Sequence, residues 1–443
     1  MNASGKIYSS RCWHQGKLKP ATICYEAGKI TEIFFEKLPG AFDAEDAILM
    51  PGVIDAHVHI NEPGRTEWEG FDTGTRAAAT GGTTSFVDMP LNASPVTTTE
   101  DALLLKLKST QNKLHVNVGF YAGLVPGNAD HLPALCKMGV LGVKAFLTHS
   151  GIDEFPNVTE RDLEIAMPII RDADSKLLVH AELSDDTTTK LLNSNPTSYK
   201  TYLASRPKVW ENRAIEMMIR LCRKHQCPVH IVHVSSAEAL PMISDAKAAG
   251  LPITAETCAH YIYFNADMMP DAQPLFKCAP PIREKENNEQ LKKALQSGIL
   301  DFLTTDHSPA PPAIKALDTG NLQQAWGGIA GLQFLLSAGW SALKENLSLE
   351  EYIPLVTSKP AYFLGLQSSK GVIEIGADAD FVVWQPEVNE MVEHSQIQHR
   401  FSCSAYAHQK LYGKILKTII NGITVCEHNN IINLNAGTWL LKK

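Results

Sequence analysis

His57 and His59 are separated by one residue at the end of an apolar run that begins at residue 52. Side chains alternate along a β-strand with a period of two, so both imidazoles point to the same face. Imidazole is the commonest nitrogen ligand of transition metals, and two on one rigid strand end supply half of an open catalytic site. The alternative interpretation is a pair of polar residues on the solvent face of a strand.

Four other apolar runs carry metal-binding side chains. Lys144 lies inside one run, His180 and His233 end two more, and Asp306 follows a fourth. Taken singly, each has a structural explanation, such as a hydrogen-bonded core histidine or a carboxylate that caps the next helix. Because a barrel brings the carboxyl ends of its parallel strands together around one axis, their joint placement indicates one metal site.

Lys144 is unusual because a lysine inside a buried parallel strand is costly unless it is neutralised or paired. One solution is reaction of the neutral amine with carbon dioxide, which gives a carbamate whose two oxygens can bridge two metal ions. The other is a lysine that extends to the barrel mouth and keeps its charge in water. The residues alone leave both interpretations open.

Eight apolar runs separated by amphipathic segments predict the parallel strands that must position these side chains. They cover residues 52–59, 83–89, 115–121, 141–147, 176–180, 228–233, 252–256 and 300–305. Eight βα units predict an α/β fold, a (β/α)8 TIM barrel over residues 51–365. An open doubly wound sheet competes, but no Gly-x-Gly-x-x-Gly follows the first strand.

Short β-prone segments separated by turn residues occupy both ends of the chain. Neither end alone has enough strands to bury a core. We therefore expect residues 1–50 and 366–443 to form one small, β-sandwich-like domain.

The composition is that of a globular protein, with 44% hydrophobic and 20% charged residues among 443. A net charge of −8 disfavours nucleic acid as a partner. No apolar run approaches the roughly 20 residues that span a bilayer, so no membrane partner is predicted. The N-terminus lacks a secretory pattern and the nine cysteines are scattered, which predicts reduced thiols and a cytoplasmic location.

The set His57-x-His59, Lys144, His180, His233 and Asp306 resembles the ligands of the binuclear-metal amidohydrolase superfamily, specifically its cyclic amidohydrolase branch of dihydroorotases, hydantoinases and allantoinases. Residues 49–55 and 370–380 also resemble this family. Longer stretches resemble allantoinases in particular, namely residues 59–71, 88–92, 150–156, 202–211, 306–309 and 325–333.

This resemblance implies two divalent metal ions, with zinc expected and manganese, cobalt or iron as alternatives. It implies that the more buried ion is bound by His57, His59 and Asp306, the more exposed ion by His180 and His233, and both by carboxylated Lys144. Asp306 is the implied general base, which takes a proton from the attacking water and delivers it to the leaving ring nitrogen.

The implied reaction is opening of a cyclic amide, specifically conversion of allantoin and water to allantoate in ureide catabolism. The substrate is then a small cyclic ureide, and its edges are expected to contact Asn92, Ser150, Ser308 and Gly328. The resemblance also implies a homo-oligomer, specifically a homotetramer.

Dihydroorotases usually carry an arginine two residues after the second histidine, where this chain has Asn61. Absence of that cation disfavours a carboxylate substrate, although Arg65 is close enough in sequence to substitute. Arg65 and Trp68 either close over the pocket or belong to a packed surface loop. The remaining alternatives are a hydantoinase or dihydropyrimidinase, a dihydroorotase, and a noncatalytic scaffold protein of the same fold. The scaffold alternative predicts that metal-ligand residues are missing.

Overall fold

A computed structural model describes residues 4–185, 191 and 193–442. Residues 1–3 and 443 of the predicted small domain, and residues 186–190 and 192 of the predicted barrel, lie outside the described residues.

Strands from both ends of the chain share one nine-stranded sheet, in the order β18-β17-β16-β15-β5-β1-β2-β3, with β4 paired to β1. Its strands are β1 (Ser4–His14), β2 (Lys17–Glu26), β3 (Lys29–Phe34), β4 (Phe42–Asp43), β5 (Ile48–Pro51), β15 (Phe381–Met391), β16 (Lys410–Ile420), β17 (Ile423–Glu427) and β18 (Asn430–Ile431). The strand β5 joins the two halves because it runs parallel to β1 and antiparallel to β15.

Two parallel sheets occupy the middle of the chain, with the orders β14-β13-β12-β11-β10-β9 and β19-β8-β7-β6. Their strands are β6 (Val53–Val58), β7 (Thr83–Asp88), β8 (Asn117–Phe120), β9 (Ala122–Gly123), β10 (Val143–Phe146), β11 (Leu177–His180), β12 (Val229–Ile231), β13 (Ile253–Cys258), β14 (Phe302–Thr304) and β19 (Trp439–Leu440). Each of the eight predicted runs overlaps one of these strands, so the predicted α/β class with parallel strands is confirmed. A parallel bridge between Val58 and His307 connects the end of β6 to the chain after β14.

The strand β19 pairs outside the nine-stranded sheet. Although it lies within residues 366–443, it pairs with β8, through Trp439 opposite Val118 and Leu440 opposite Gly119. Close packing at Gly437 accompanies this pairing, since an added Cβ there would lie 1.9 Å from the carbonyl oxygen of Val116.

Helices connect and cover the parallel strands. They are α1 (Phe71–Thr80), α2 (Glu100–Ser109), α3 (Leu132–Lys137), α4 (Glu160–Asp172), α5 (Tyr199–Ser205), α6 (Lys208–His225), α7 (Leu240–Ala248), α8 (Ala259–Tyr263), α9 (Lys285–Ser297), α10 (Leu335–Leu343), α11 (Leu349–Val356) and α12 (Ser358–Leu364). Thr159 and Ser348 begin α4 and α11 with capping boxes, which satisfy backbone N–H groups of the first turn. Across the described residues, none of the helices has both the length and the apolar character needed to cross a bilayer.

Candidate metal centre

The carboxyl ends of the parallel strands surround a cavity of about 520 Å³. Its lining includes five of the six predicted metal ligands, which are His57, His59, His180, His233 and Asp306. These side chains come from or follow β6, β11, β12 and β14, so the shared strand direction brings residues from distant parts of the chain to one place.

Asp306 contacts both histidines of the first predicted strand, His57 within β6 and His59 just after it. Its Oδ1 atom is 3.1 Å from Nε2 of His57 and 3.2 Å from Nε2 of His59. Ligand atoms of His57, His233 and Asp306 all lie within 4.8 Å of one another. Although burial disfavours the charged carboxylate, its contacts with His57 and His59 hold the pKa of Asp306 well below its usual value.

His180 and Lys144 complete the predicted set. The ring of His180 lies edge-on to His233, with centroids 4.6 Å apart. Lys144 is fully buried, and among the described residues its Nζ atom has no hydrogen-bond partner. Burial lowers the pKa of Lys144 to about 8, which increases the fraction of neutral amine at neutral pH.

These residues fit a divalent transition metal. Imidazole nitrogens with a carboxylate are a donor set that such ions accept. Burial lowers the pKa of His59 to about 4, so its ring is neutral and has a lone pair for a metal. Nδ1 of His233 and Nζ of Lys144 are buried without hydrogen-bond partners in the described part of the chain, an arrangement that costs free energy unless another group binds there.

Two of the candidate ligands have an uncommon backbone conformation. The φ angle is 40° at His233 and 45° at Asp306, and 67° at Asn61 and Asn92. Residues other than glycine rarely adopt positive φ, and those that do concentrate at functional sites. Both of these ligand side chains line the cavity.

Two buried carboxylates hold the ligand histidines. Glu256 contacts Nδ1 of His57 at 2.6 Å and Nε2 of His230 at 3.1 Å, and Glu182 contacts Nε2 of His180 at 2.8 Å and is paired with Arg206. Burial raises the pKa of Glu256, but hydrogen bonds from His230 and His57 outweigh this effect and lower the pKa to about 2.

Sequence reasoning missed both carboxylates and left out His230. A signal existed, because Glu256 lies inside a predicted buried strand and Glu182 follows His180 by two residues. Such carboxylates fix the orientation and the tautomer of a metal-binding imidazole.

The predicted substrate contacts divide into two groups. Asn92, Ser150 and Ser308 line the cavity, and Oδ1 of Asn92 has no partner among the described residues. Gly328 is not a lining residue of this cavity, although the preceding Gly327 is. Its N–H donates to the carbonyl of Lys277 at 2.8 Å and its own carbonyl accepts from Lys315, so its backbone groups already have partners.

Arg65 and Trp68 belong to a packed loop in this structure. Arg65 donates to the carbonyl oxygen of Asn92 at 3.0 Å and pairs with Glu154 at 2.8 Å. Trp68 packs edge-on against Trp326, with ring centroids 4.9 Å apart. Because its guanidinium is engaged in these contacts, Arg65 supports the loop that carries Asn92.

The model of the amidohydrolase family matches residues 48–425. A probable allantoinase of Oryza sativa subsp. japonica is 41% identical over 99% of this chain and 90% of its own length. An allantoinase of Streptomyces avermitilis is 42% identical over 91% of each chain.

Among solved structures, the L-hydantoinase (dihydropyrimidinase) from Arthrobacter aurescens superposes with a TM-score of 0.93 at 27% identity, covering 98% of this chain and 99% of its own. With this coverage, the superposition takes in nearly all of the parallel sheets and the nine-stranded sheet. The chain belongs to the amidohydrolase family, within which it is a cyclic amidohydrolase most similar to allantoinases.

Proposed function

We propose that this protein is a metal-dependent hydrolase that opens the hydantoin ring of allantoin with water and releases allantoate. The observation that carries the proposal is the meeting of His57, His59, His233 and Asp306 around one cavity. The similarity to allantoinases supports this choice of substrate.

In this proposal His57, His59 and Asp306 would hold the more buried ion, His180 and His233 would hold the second, and carboxylated Lys144 would bridge both. Zinc is our proposed metal, with manganese, cobalt or iron as alternatives. When bound, two such ions polarise a carbonyl and lower the pKa of water.

Asp306 acts as the general base and then as the general acid. As the oxygen of water bonds to the ring carbonyl carbon, Asp306 accepts a proton. It returns this proton to the ring nitrogen as the C–N bond breaks, which leaves a carboxylic acid that ionises. Asn92, Ser150 and Ser308 would orient the ureide edges, while Gly328 would act by letting Ser308 approach.

We further propose that the parallel strands close into a (β/α)8 barrel over residues 51–365. The bridge between Val58 and His307, and the direct succession of β8 and β9 along the chain, support closure. Residues 1–50 and 366–443 would form the small β-domain, apart from β19. Assembly as a homotetramer and a cytoplasmic location stay predictions.

The test is a comparison of kcat/KM for allantoin, hydantoin, dihydrouracil and dihydroorotate with the metal-loaded enzyme. We expect allantoin to be preferred. The hydantoinase neighbour favours ring opening of hydantoin or dihydrouracil as the second candidate, and a preference for either would select it. Preference for dihydroorotate would overturn the argument from Asn61.

The scaffold alternative is tested by metal analysis of the purified protein. We expect about two bound transition-metal ions per chain, the number of the binuclear site. A protein that holds none, and stays inactive after incubation with metal and bicarbonate, would instead be a noncatalytic member of the family.

A further inference from the structure

Lys315 lies in the loop between β14 and α10 and is 4% exposed. Its Nζ atom donates to three backbone carbonyls, those of Lys277 at 3.1 Å, Trp326 at 3.0 Å and Gly328. We call this group of four residues the Lys315 cluster. Lys315 itself is none of the candidate metal ligands, and the proposed reaction does not use its side chain.

The three carbonyls can accept one hydrogen bond from each of the three N–H groups of a lysine ammonium. The charged or ionisable groups that most affect Lys315 are Cys278, Lys277 and Cys403, and none of these is a carboxylate. Burial lowers the pKa of Lys315 to about 7, whereas the carbonyl dipoles directed at Nζ favour the charged form. Lys315 is therefore bound by three backbone carbonyls rather than by a carboxylate, and it links the segments that carry them.

Two of the three carbonyls belong to residues of the cavity wall, and the third belongs to Gly328, which follows the lining residue Gly327. Lys277, Trp326 and Gly327 line the cavity of the candidate metal centre. Gly328 packs so closely that an added Cβ would lie 2.3 Å from the carbonyl oxygen of Ser308. The next residue, Ile329, accepts a hydrogen bond from the N–H of Ser308 at 3.1 Å, so this wall runs beside the chain that carries Asp306.

We propose that Lys315 is a positioning residue that fixes the wall formed by residues 326–328 against Asp306 and Ser308, and thereby sets how a cyclic substrate is seated. The part that concerns substrate rests on the proposed function. Loss of the three hydrogen bonds releases the Trp326 and Gly328 carbonyls together while the metal ligands stay intact. Substrate binding is then affected more than the chemical step.

The test compares Lys315→Met with Lys370→Met in the metal-loaded full-length protein. Methionine keeps much of the apolar volume and removes every donor. Lys370 is an equally buried lysine, 4% exposed, that pairs with Asp378 and Asp380 beside the nine-stranded sheet, so its variant controls for loss of a buried ammonium.

The first readout is hydrogen exchange of the Trp326 and Gly328 amides, which donate to Ile314 and Lys277. We expect exchange at these two amides to be at least about tenfold faster in Lys315→Met, beyond any change shared by amides elsewhere in the chain, and no such local excess in Lys370→Met. Wild-type exchange in Lys315→Met would overturn the proposal whatever its activity. If that variant does not fold, Lys315→Gln, which keeps two donors on a shorter side chain, is expected to show the same local increase, and its absence there would equally overturn the proposal.

The second readout is steady-state kinetics with allantoin. We expect KM to rise by about tenfold or more in Lys315→Met, with kcat within about threefold of wild type and unchanged metal content. A fall in kcat with unchanged KM would contradict a positioning role. Failure of the wild-type enzyme to open any cyclic amide would remove the proposed function alone, because hydrogen exchange tests the cluster without a substrate.

Discussion

Asp306 contacts two candidate ligand histidines through one carboxylate oxygen, and its proposed role in proton transfer, which the family resemblance implies, can be tested by substitution. Asn is nearly isosteric with Asp but cannot accept the proton, so Asp306→Asn should lower kcat by about 10²–10⁴-fold. Measured substrate binding should persist. Near-normal turnover in this variant, with metal content matched to wild type, would remove the general-base assignment.

Glu182 offers a second test at the level of single residues, because it contacts His180 and is paired with Arg206 in the cavity wall. Glu182→Gln keeps the shape of the side chain but removes its charge. We expect the metal affinity, measured by metal titration of the apoprotein, to fall by about 10–100-fold.

The exposed Glu238, which pairs with Lys208, supplies the control for this experiment. Glu238→Gln should bind metal like the wild type. An equal loss in both variants would show that the effect of Glu182→Gln is not specific to His180.

Candidate ligands were predictable because their side chains are chemically distinctive and occur at strand ends. A buried lysine and histidines after apolar runs require an explanation that a surface residue does not. Glu182 was missed although it follows His180 by two residues, whereas Lys315 was not predicted because its partners are set by tertiary contact. The three carbonyls around Lys315 carry no sequence signal, since every residue has one.

Among the secondary-structure elements, β19 makes the least expected contact, and Gly437 makes it possible. Gly437→Ala places a Cβ 1.9 Å from the carbonyl oxygen of Val116, so either β19 or β8 must shift. We expect a loss of about 1–3 kcal/mol in the free energy of unfolding, measured by denaturant titration.

Gly331→Ala is the matched control, because its added Cβ meets its nearest neighbour at an ordinary 3.5 Å. It should change the unfolding free energy much less than Gly437→Ala. Equal effects would show that close packing at β19 is not the cause.

All eight predicted runs overlap strands because apolar runs bounded by turns are a local property of the sequence. The pairing of β19 is not local. It joins two residues near the end of the chain to β8 in the first third, and a two-residue strand leaves no periodic pattern to detect.

Across the whole molecule, Lys370 connects the sheet built from both chain ends to the parallel strands. It pairs with Asp380 at 2.5 Å and Asp378 at 2.9 Å, and Asp380 also accepts from Asn117 of β8 at 3.0 Å. Lys370→Met leaves buried carboxylates without this cation, which should cost about 3–5 kcal/mol at neutral pH.

Low pH should reduce the difference in stability between wild type and Lys370→Met. Burial raises the pKa of Asp378, but Lys370 and Lys29 lower it further, so that it lies below its usual value of 3.8. A lowered carboxyl pKa gives stability that is present above 3.8 and lost as the pH falls through the folded value. Tm curves of wild type and Lys370→Met should therefore converge below about pH 4, and a constant gap would contradict this account.

Asn117 accepts hydrogen bonds from the N–H and hydroxyl of Thr438, 321 residues later in the chain. During synthesis on the ribosome, β8 therefore emerges long before the segment that pairs with it. At about 5–20 residues per second, the interval is on the order of tens of seconds. Throughout that time the nascent chain presents an unpaired strand edge, which is the kind of surface that chaperones bind and that promotes aggregation.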